Sequence, residues 1–169
     1  RNPYHYRVDT EGNQLPYILL HIPRANQTLT FQTQAYNVMN FMEFVTDQYM
    51  AVQFGHNFDG YLLGKIPLLR RLKLRAIVGF KALYGRISDK NNPELNQSLI
   101  QFPANAEGVP ETYSLSDAPY LEFSAGVSNI FKFFRIDYVR RLNYLNHPNL
   151  PGLFGVRGSG LRVGFELTF

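Results

Sequence analysis

The sequence predicts an all-β fold: an antiparallel transmembrane β-barrel, or the C-terminal strands of a larger one. Three observations carry that expectation. They are a closing segment with one wholly apolar face, an aromatic-rich composition without a long apolar run, and connections that alternate in length. In the closing segment, Leu161, Val163, Phe165, Leu167 and Phe169 share one parity, and Arg162, Gly164, Glu166 and Thr168 share the other. Successive side chains of a strand point to opposite faces, so this strand has one apolar and one polar face. In water such an edge invites aggregation. A barrel in lipid needs one face for the hydrocarbon and one for a wet lumen.

Composition narrows the class. The 169 residues are 45% hydrophobic and 18% charged, which argues against disorder. The 14 Phe and 11 Tyr favour strands and membrane interfaces. No apolar run approaches the roughly 18 residues that a membrane helix requires. The mean hydropathy of -0.21 is compatible with a barrel, whose lumen side is polar. With no cysteine, disulfides, thiolate metal sites and cysteine nucleophiles are excluded. The net charge of +4 is spread along the chain, apart from Arg70-Arg71-Leu-Lys73-Leu-Arg75 and Arg140-Arg141. Against the strand pattern, that charge does not point to nucleic acid. The chain starts at Arg1 without a signal peptide, so removal of a signal, or an upstream part of the protein, is expected.

The elements follow in order. Residues 1–16 are polar, with Pro3, Gly12 and Pro16, and read as an extended lead-in or loop. Residues 17–22 form a short apolar stretch stopped by Pro23, a weak strand candidate. Residues 27–37 alternate loosely, and 37–44 is ambiguous between strand and helical turn. From Thr46 the pattern sharpens: Met50, Val52, Phe54 and Phe58 oppose Asp47, Ala51, Gln53, Gly55 and Asn57. Leu72, Leu74, Ala76, Val78, Phe80, Ala82 and Tyr84 mark a second strand, with Lys73, Arg75, Gly79 and Lys81 opposite. Turning those cations inward is economical, because Lys or Arg facing mid-bilayer lipid costs about 2–4 kcal/mol. Leu121, Phe123, Ala125 and Val127 mark a third strand, against Glu122, Ser124 and Gly126. Phe134, Ile136, Tyr138, Leu142 and Tyr144 mark a fourth, against Arg135, Asp137, Arg141 and Asn143, with Arg140 interrupting the apolar face. The closing segment is the fifth. An eight-stranded barrel needs three more strands from the N-terminal region; otherwise the chain is the end of a larger barrel.

The connections are an independent signal. Residues 85–118 and 146–159 are long and rich in Pro, Gly and Asn, whereas only about 129–132 separates the third and fourth strands. Outer-membrane barrels have short periplasmic turns and long outer loops. With a periplasmic C-terminus, both long loops fall outside the cell. The 59–71 connection falls on the periplasmic side and is long for that position.

The segments Phe41-Met-Glu-Phe-Val-Thr-Asp-Gln-Tyr49, Lys65-Ile-Pro-Leu-Leu-Arg-Arg-Leu-Lys-Leu-Arg75, Pro119-Tyr-Leu-Glu122, Gly126-Val-Ser-Asn-Ile-Phe131, Arg135-Ile-Asp-Tyr-Val-Arg140 and Leu161-Arg-Val-Gly-Phe-Glu-Leu-Thr-Phe169 resemble the C-terminal barrel of a Bacteroidota outer-membrane family. In that family a carboxypeptidase-regulatory-like domain precedes a barrel of unassigned function. The resemblance runs from about residue 17 to the end. It implies an outer-membrane location in a Gram-negative bacterium and an upstream domain before Arg1. The spacing Arg162, Gly164, Phe165, Leu167, Phe169 resembles the C-terminal signal read by the barrel-assembly machinery. More distantly, 120–143 and the closing strand are similar to BamA- and TamA-type barrels, which insert or translocate other proteins. Their Arg-Gly-Phe loop motif is absent, since Arg157-Gly158 is followed by Ser159.

No chemistry-bearing motif stands out. His5, His21, His56 and His147 lack metal-ligand spacing, and there is no HExxH. Gly155-Val-Arg-Gly-Ser-Gly160 lacks the P-loop lysine and reads as a loop turn. Ser124, His147 and Asp117 combine into a triad on paper only, because nothing in their spacing asks for it. No catalytic, cofactor or metal residue is therefore expected. The expected lumen-facing charges are Lys73, Arg75, Lys81, Glu122, Arg135, Asp137, Arg141, Arg162 and Glu166, pairing across a water-filled interior. Phe54, Phe58, Tyr84, Tyr120, Tyr138, Tyr144 and Phe169 are candidates for interface girdles. The expected role is non-enzymatic: an envelope anchor or transport component contacting outer-membrane lipid, the barrel-assembly machinery during biogenesis, and other envelope proteins. The alternatives are a BamA-like insertase or translocation pore, a soluble β-barrel binding an apolar ligand, and a small outer-membrane enzyme.

Overall fold

A computed structural model of the chain describes residues 20–97, 99–115 and 118–165. The expected lead-in over 1–16, residues 17–19 of the 17–22 stretch, Asp117, and the closing residues Glu166, Leu167 and Phe169 lie outside them. The fold is all-β and mostly antiparallel. In chain order the strands are β1 (Phe44–Val45), β2 (Gln48–Asn57), β3 (Arg75–Arg86), β4 (Tyr113–Ser114), β5 (Tyr120–Ile130), β6 (Phe134–Arg141), β7 (Gly152–Leu153), β8 (Val156–Arg157) and β9 (Ser159–Phe165). A helical turn, α1 (Pro67–Arg70), lies between β2 and β3, with Pro67 at its first position, where a missing N–H costs nothing.

Five of these strands form one antiparallel sheet in the order β2-β3-β5-β6-β9. They are the five that alternation in the sequence predicts. Their lengths of 10, 12, 11, 8 and 7 described residues bracket the 9–11 that a tilted strand needs to cross a bilayer. The boundaries differ from expectation in two places. Leu72, Lys73 and Leu74 precede β3, because Lys73 takes a left-handed turn conformation with φ 51. Leu142 and Tyr144 follow β6, and Tyr144 also has positive φ.

The sheet is open among the described residues, with β2 and β9 at its edges. Among the described residues, the N-terminal region does not supply three further membrane-length strands. Over 20–47 it makes single bridges, His21 with Thr46, Ala25 with Tyr36, and Thr30 with Val163, and contributes only the short β1. The local chemistry explains this. Asn26 accepts hydrogen bonds from the Thr28 amide (2.9 Å) and hydroxyl (2.6 Å), and Asn37 accepts from the Gln32 amide (3.0 Å). Such side-chain bonds hold turns and compete with a ladder. Met42 adds a positive φ just before β1.

The register fixes the two faces. Val52, Ala82 and Leu121 are aligned, as are Phe54, Phe80, Phe123 and Arg140, and then Val78, Ala125, Tyr138 and Leu161. The opposite parity carries Lys81, Glu122 and Arg141 in one row, and Gly126, Asp137 and Arg162 in another. Gly126 permits a close approach there, since a Cβ would run into the Asp137 carboxylate and the Ile136 carbonyl.

Two buried apolar clusters lie at the end of the sheet where β2 starts and β3 ends. One cluster joins Tyr36, Met39, Phe44, Leu83, Leu115 and Tyr120; a second joins Leu20, Val45 and Ile87. The long connections 20–47, 87–119 and 142–158 meet at this end. β1 pairs with β4 in parallel, and Asp47 accepts hydrogen bonds from the Ser88 amide (3.0 Å) and Asn91 (2.9 Å). The other end carries the 131–133 turn and the 58–74 connection with α1.

Candidate functional site

The charged part of the sheet's polar face is covered by the 20–47 segment, and charged side chains do the holding. Glu122 on β5 accepts hydrogen bonds from the Asn37 amide (2.9 Å), the Val38 amide (3.1 Å) and the Tyr120 hydroxyl (3.1 Å). Lys81 on β3 donates to the carbonyls of Gln32 (2.8 Å) and Ala35 (2.5 Å), and Arg162 on β9 donates to the Asn37 carbonyl. Cations thus take the carbonyls of one turn and a carboxylate takes its amides. The Phe31 ring sits beside two of these cations, 5.3 Å from Lys81 and 4.3 Å from the Arg135 guanidinium. Phe31 and Leu29 also bond to Val163 on the free edge of β9 at 2.9 Å each.

A second polar cluster lies nearer the capped end. Arg141 is fully buried and its Nη1 is 2.7 Å from the Glu43 carboxylate, itself 2% exposed. His147 Nδ1 contacts the same carboxylate at 2.7 Å. The Arg141 guanidinium is flanked by Phe44, Tyr120 and Tyr144 at 4.9–5.9 Å, an electron-rich cage for a cation. Burial pushes the Glu43 carboxyl up, but the bonds to His147 and Arg141 outweigh it and hold the group below the usual carboxylate range.

Of the nine charges expected inside, Lys81, Glu122, Arg135, Asp137, Arg141 and Arg162 project from this one face. Arg135 and Asp137 pair with each other through two bonds of 2.6 and 2.8 Å. The remaining four turn to the 20–47 segment rather than across to one another. Arg75 opens β3 and lies 3.7 Å from Asp59 in the connection. Lys73 is in the preceding turn and does not belong to the face; Glu166 lies outside the described residues. The sequence reading missed Asn37, Phe31 and Glu43. Glu43, a single acid among Phe41, Met42 and Phe44, was the one legible signal.

The opposite face is apolar and uncovered. Met50, Val52, Phe54 and Tyr84 are 48–60% exposed, and Phe123, Ile136, Leu161 and Val163 are 37–43% exposed. Tyr138 shares the face and His56 lies on it, parallel to Phe54 and edge-on to Phe58. Tyr120 and Tyr144 are not girdle residues. Tyr120 is buried on the polar face against Tyr36 and Phe44, and Tyr144 packs on Phe44, because the connections fold back over that end.

The paper triad is not assembled. Ser124 is buried opposite Gly79 in mid-sheet, His147 belongs to the Glu43 cluster, and Asp117 lies outside the described residues. The glycine-rich loop is the β7–β8 hairpin, with positive φ at Gly155 and Gly158. No group of three metal-ligating side chains occurs among the described residues.

No curated protein and no solved structure matches the chain. Residues 14–98, half of the chain, match the C-terminal domain of a family of unknown function, DUF5686. The match covers the clamped 20–47 segment, β2, the α1 connection and β3, and the chain belongs to that family.

Proposed function

We propose that this chain is the C-terminal part of an outer-membrane β-barrel of a Gram-negative bacterium, acting as a non-enzymatic envelope anchor or transport component. One observation supports this above all. The sheet leaves large apolar side chains of all five strands exposed on one face, while the charges Lys81, Glu122, Asp137 and Arg141 of the other face are buried. A water-soluble sheet would do the reverse. The same observation argues against a soluble barrel that holds an apolar ligand, since the apolar parity would then line a cavity.

Three features refine the reading. β2 (Gln48–Asn57) is an edge strand of the sheet among the described residues, where further strands of a larger barrel would add. The two connections 87–119 and 142–158 join the same end as the 20–47 segment, the arrangement of outer loops with a short periplasmic turn at 131–133. A segment clamped on the inner face favours an anchor over an open pore through this part of the wall. The sequence from Arg162 through Gly164, Phe165 and Leu167 to Phe169 is the expected contact for the assembly machinery.

Fractionation tests the reading. The polypeptide is expected in the outer-membrane fraction after carbonate and urea washes, and removal of Phe169 is expected to lower its level there. Release of the intact polypeptide by those washes would refute membrane integration. Undiminished levels without Phe169 would refute the assembly role alone.

A further inference from the structure

The 58–74 connection carries chemistry that neither the sheet nor its clamp uses. From Gly60 to Arg75 the chain has five basic residues, Lys65, Arg70, Arg71, Lys73 and Arg75, and no acidic one. Interleaved with them, Tyr61 is 70% exposed, Leu62 43%, Ile66 48% and Leu72 56%. Apart from the Arg75–Asp59 contact, none of these cations has an acidic partner among the described residues. Lys65 lies 4.5 Å over the Tyr61 ring. Lys65, Arg70 and Arg71 also line a cleft of about 360 Å³ with Gly64 and Pro67.

Arg71 is shared with a second, larger hollow on the apolar face. That groove, of about 780 Å³, runs from Arg71 and Leu72 along Ala125 and Val127 to Ile136 and Leu161. The Asn129 side chain donates to the Lys73 carbonyl at 2.7 Å and ties the connection to the neighbouring turn. A cationic cleft thus heads an apolar lane. That is the shape and polarity of one ligand class, an anionic headgroup carrying acyl chains.

We infer that the Lys65–Arg70–Arg71 cleft and the groove below it bind an anionic glycerophospholipid of the periplasmic leaflet. The cations take the phosphate and the groove takes an acyl chain. The choice of leaflet rests on the barrel reading, which puts the 131–133 turn and this connection on the periplasmic side. There the lipids are glycerophospholipids, while lipid A, also anionic, occupies the other leaflet. A basic residue held at an anionic bilayer surface contributes roughly a fivefold preference, so three give a clear signal even when partly screened.

The test places the intact polypeptide in phosphatidylcholine bilayers containing traces of nitroxide-labelled phosphatidylglycerol, phosphatidylcholine or lipid A. Spectra report the fraction of each label immobilised at the protein. The expected result is at least a fivefold preference for phosphatidylglycerol over phosphatidylcholine. It should fall to near unity in the combined Lys65→Gln, Arg70→Gln, Arg71→Gln variant and survive in Arg24→Gln, Arg86→Gln, whose charges lie at the other end. Equal immobilisation of both phospholipids, or a preference unchanged in the triple variant, would overturn the inference and leave the barrel standing. Tighter binding of lipid A would overturn the leaflet. Immobilisation of no label would mean that the strands never meet lipid, which removes the barrel reading and this inference together.

Discussion

Glu122 shows how single residues decide this fold. Its carboxylate receives two backbone amides and a tyrosine hydroxyl in a buried setting. Charge-assisted bonds of this kind contribute about 1.5–3 kcal/mol each. Glu122→Ala is expected to loosen the 32–38 turn by about 3 kcal/mol, without dissolving the sheet. Amide exchange at Asn37 and Val38 should then rise roughly a hundredfold, with β5 amides unchanged. Glu43 adds a pH dependence. Its carboxyl is held below the ordinary glutamate value of 4.5, so the opened cap binds protons more readily than the closed one. Its stabilisation is complete above that value and is lost as pH falls through the lowered one. Protease cleavage within 142–158 should therefore increase in that acid window, and in Glu43→Gln most of that pH dependence should vanish. The sequence marked Glu122 and Arg141 as inward charges by parity alone. Their partners were illegible, because Asn37 offers its backbone and a backbone group leaves no trace in a side-chain pattern.

At the scale of elements, alternation was readable wherever a strand separates two unlike surroundings. β2, β3, β5, β6 and β9 each do so, and each was found from period two. Residues 20–47 were not readable in that way. They run as turns between the sheet's charged face and the connections, so no fixed side meets one solvent and no period develops. The ends of β3 and β6 slipped because Leu72, Leu142 and Tyr144 continue the apolar parity past the ladder, where Lys73 and Tyr144 turn the chain with positive φ. The two faces of a strand lead to opposite expectations for neighbouring positions. Val52→Arg places a cation on the exposed apolar face and should cost about 2–4 kcal/mol at mid-bilayer depth, seen as a lower level in the outer membrane. Gln53→Glu, one residue on and opposite Lys81 in the ladder, should leave that level unchanged. Equal tolerance of both would mean that the two faces see the same solvent.

The whole molecule is a sheet turned inside out relative to a water-soluble protein. The sheet's apolar side chains are exposed on one face, and its charges Lys81, Glu122, Asp137 and Arg141 are buried on the other. Composition made that legible, through many aromatics and no long apolar run. The strand count was not legible, because β2 and β9 are the edge strands among the described residues and closure depends on what adds beside them. The chain has no cysteine, so single cysteines can be placed along β5 without background. The decisive measurement is the accessibility of cysteines at 121–125 and 127 in the intact outer membrane, read with a water-soluble maleimide and a lipid-confined quencher. Positions 121, 123, 125 and 127 are expected to meet only the quencher, and positions 122 and 124 to be shielded from it. Reaction of the odd positions with the water-soluble reagent would place the apolar face in water and contradict the account at its centre.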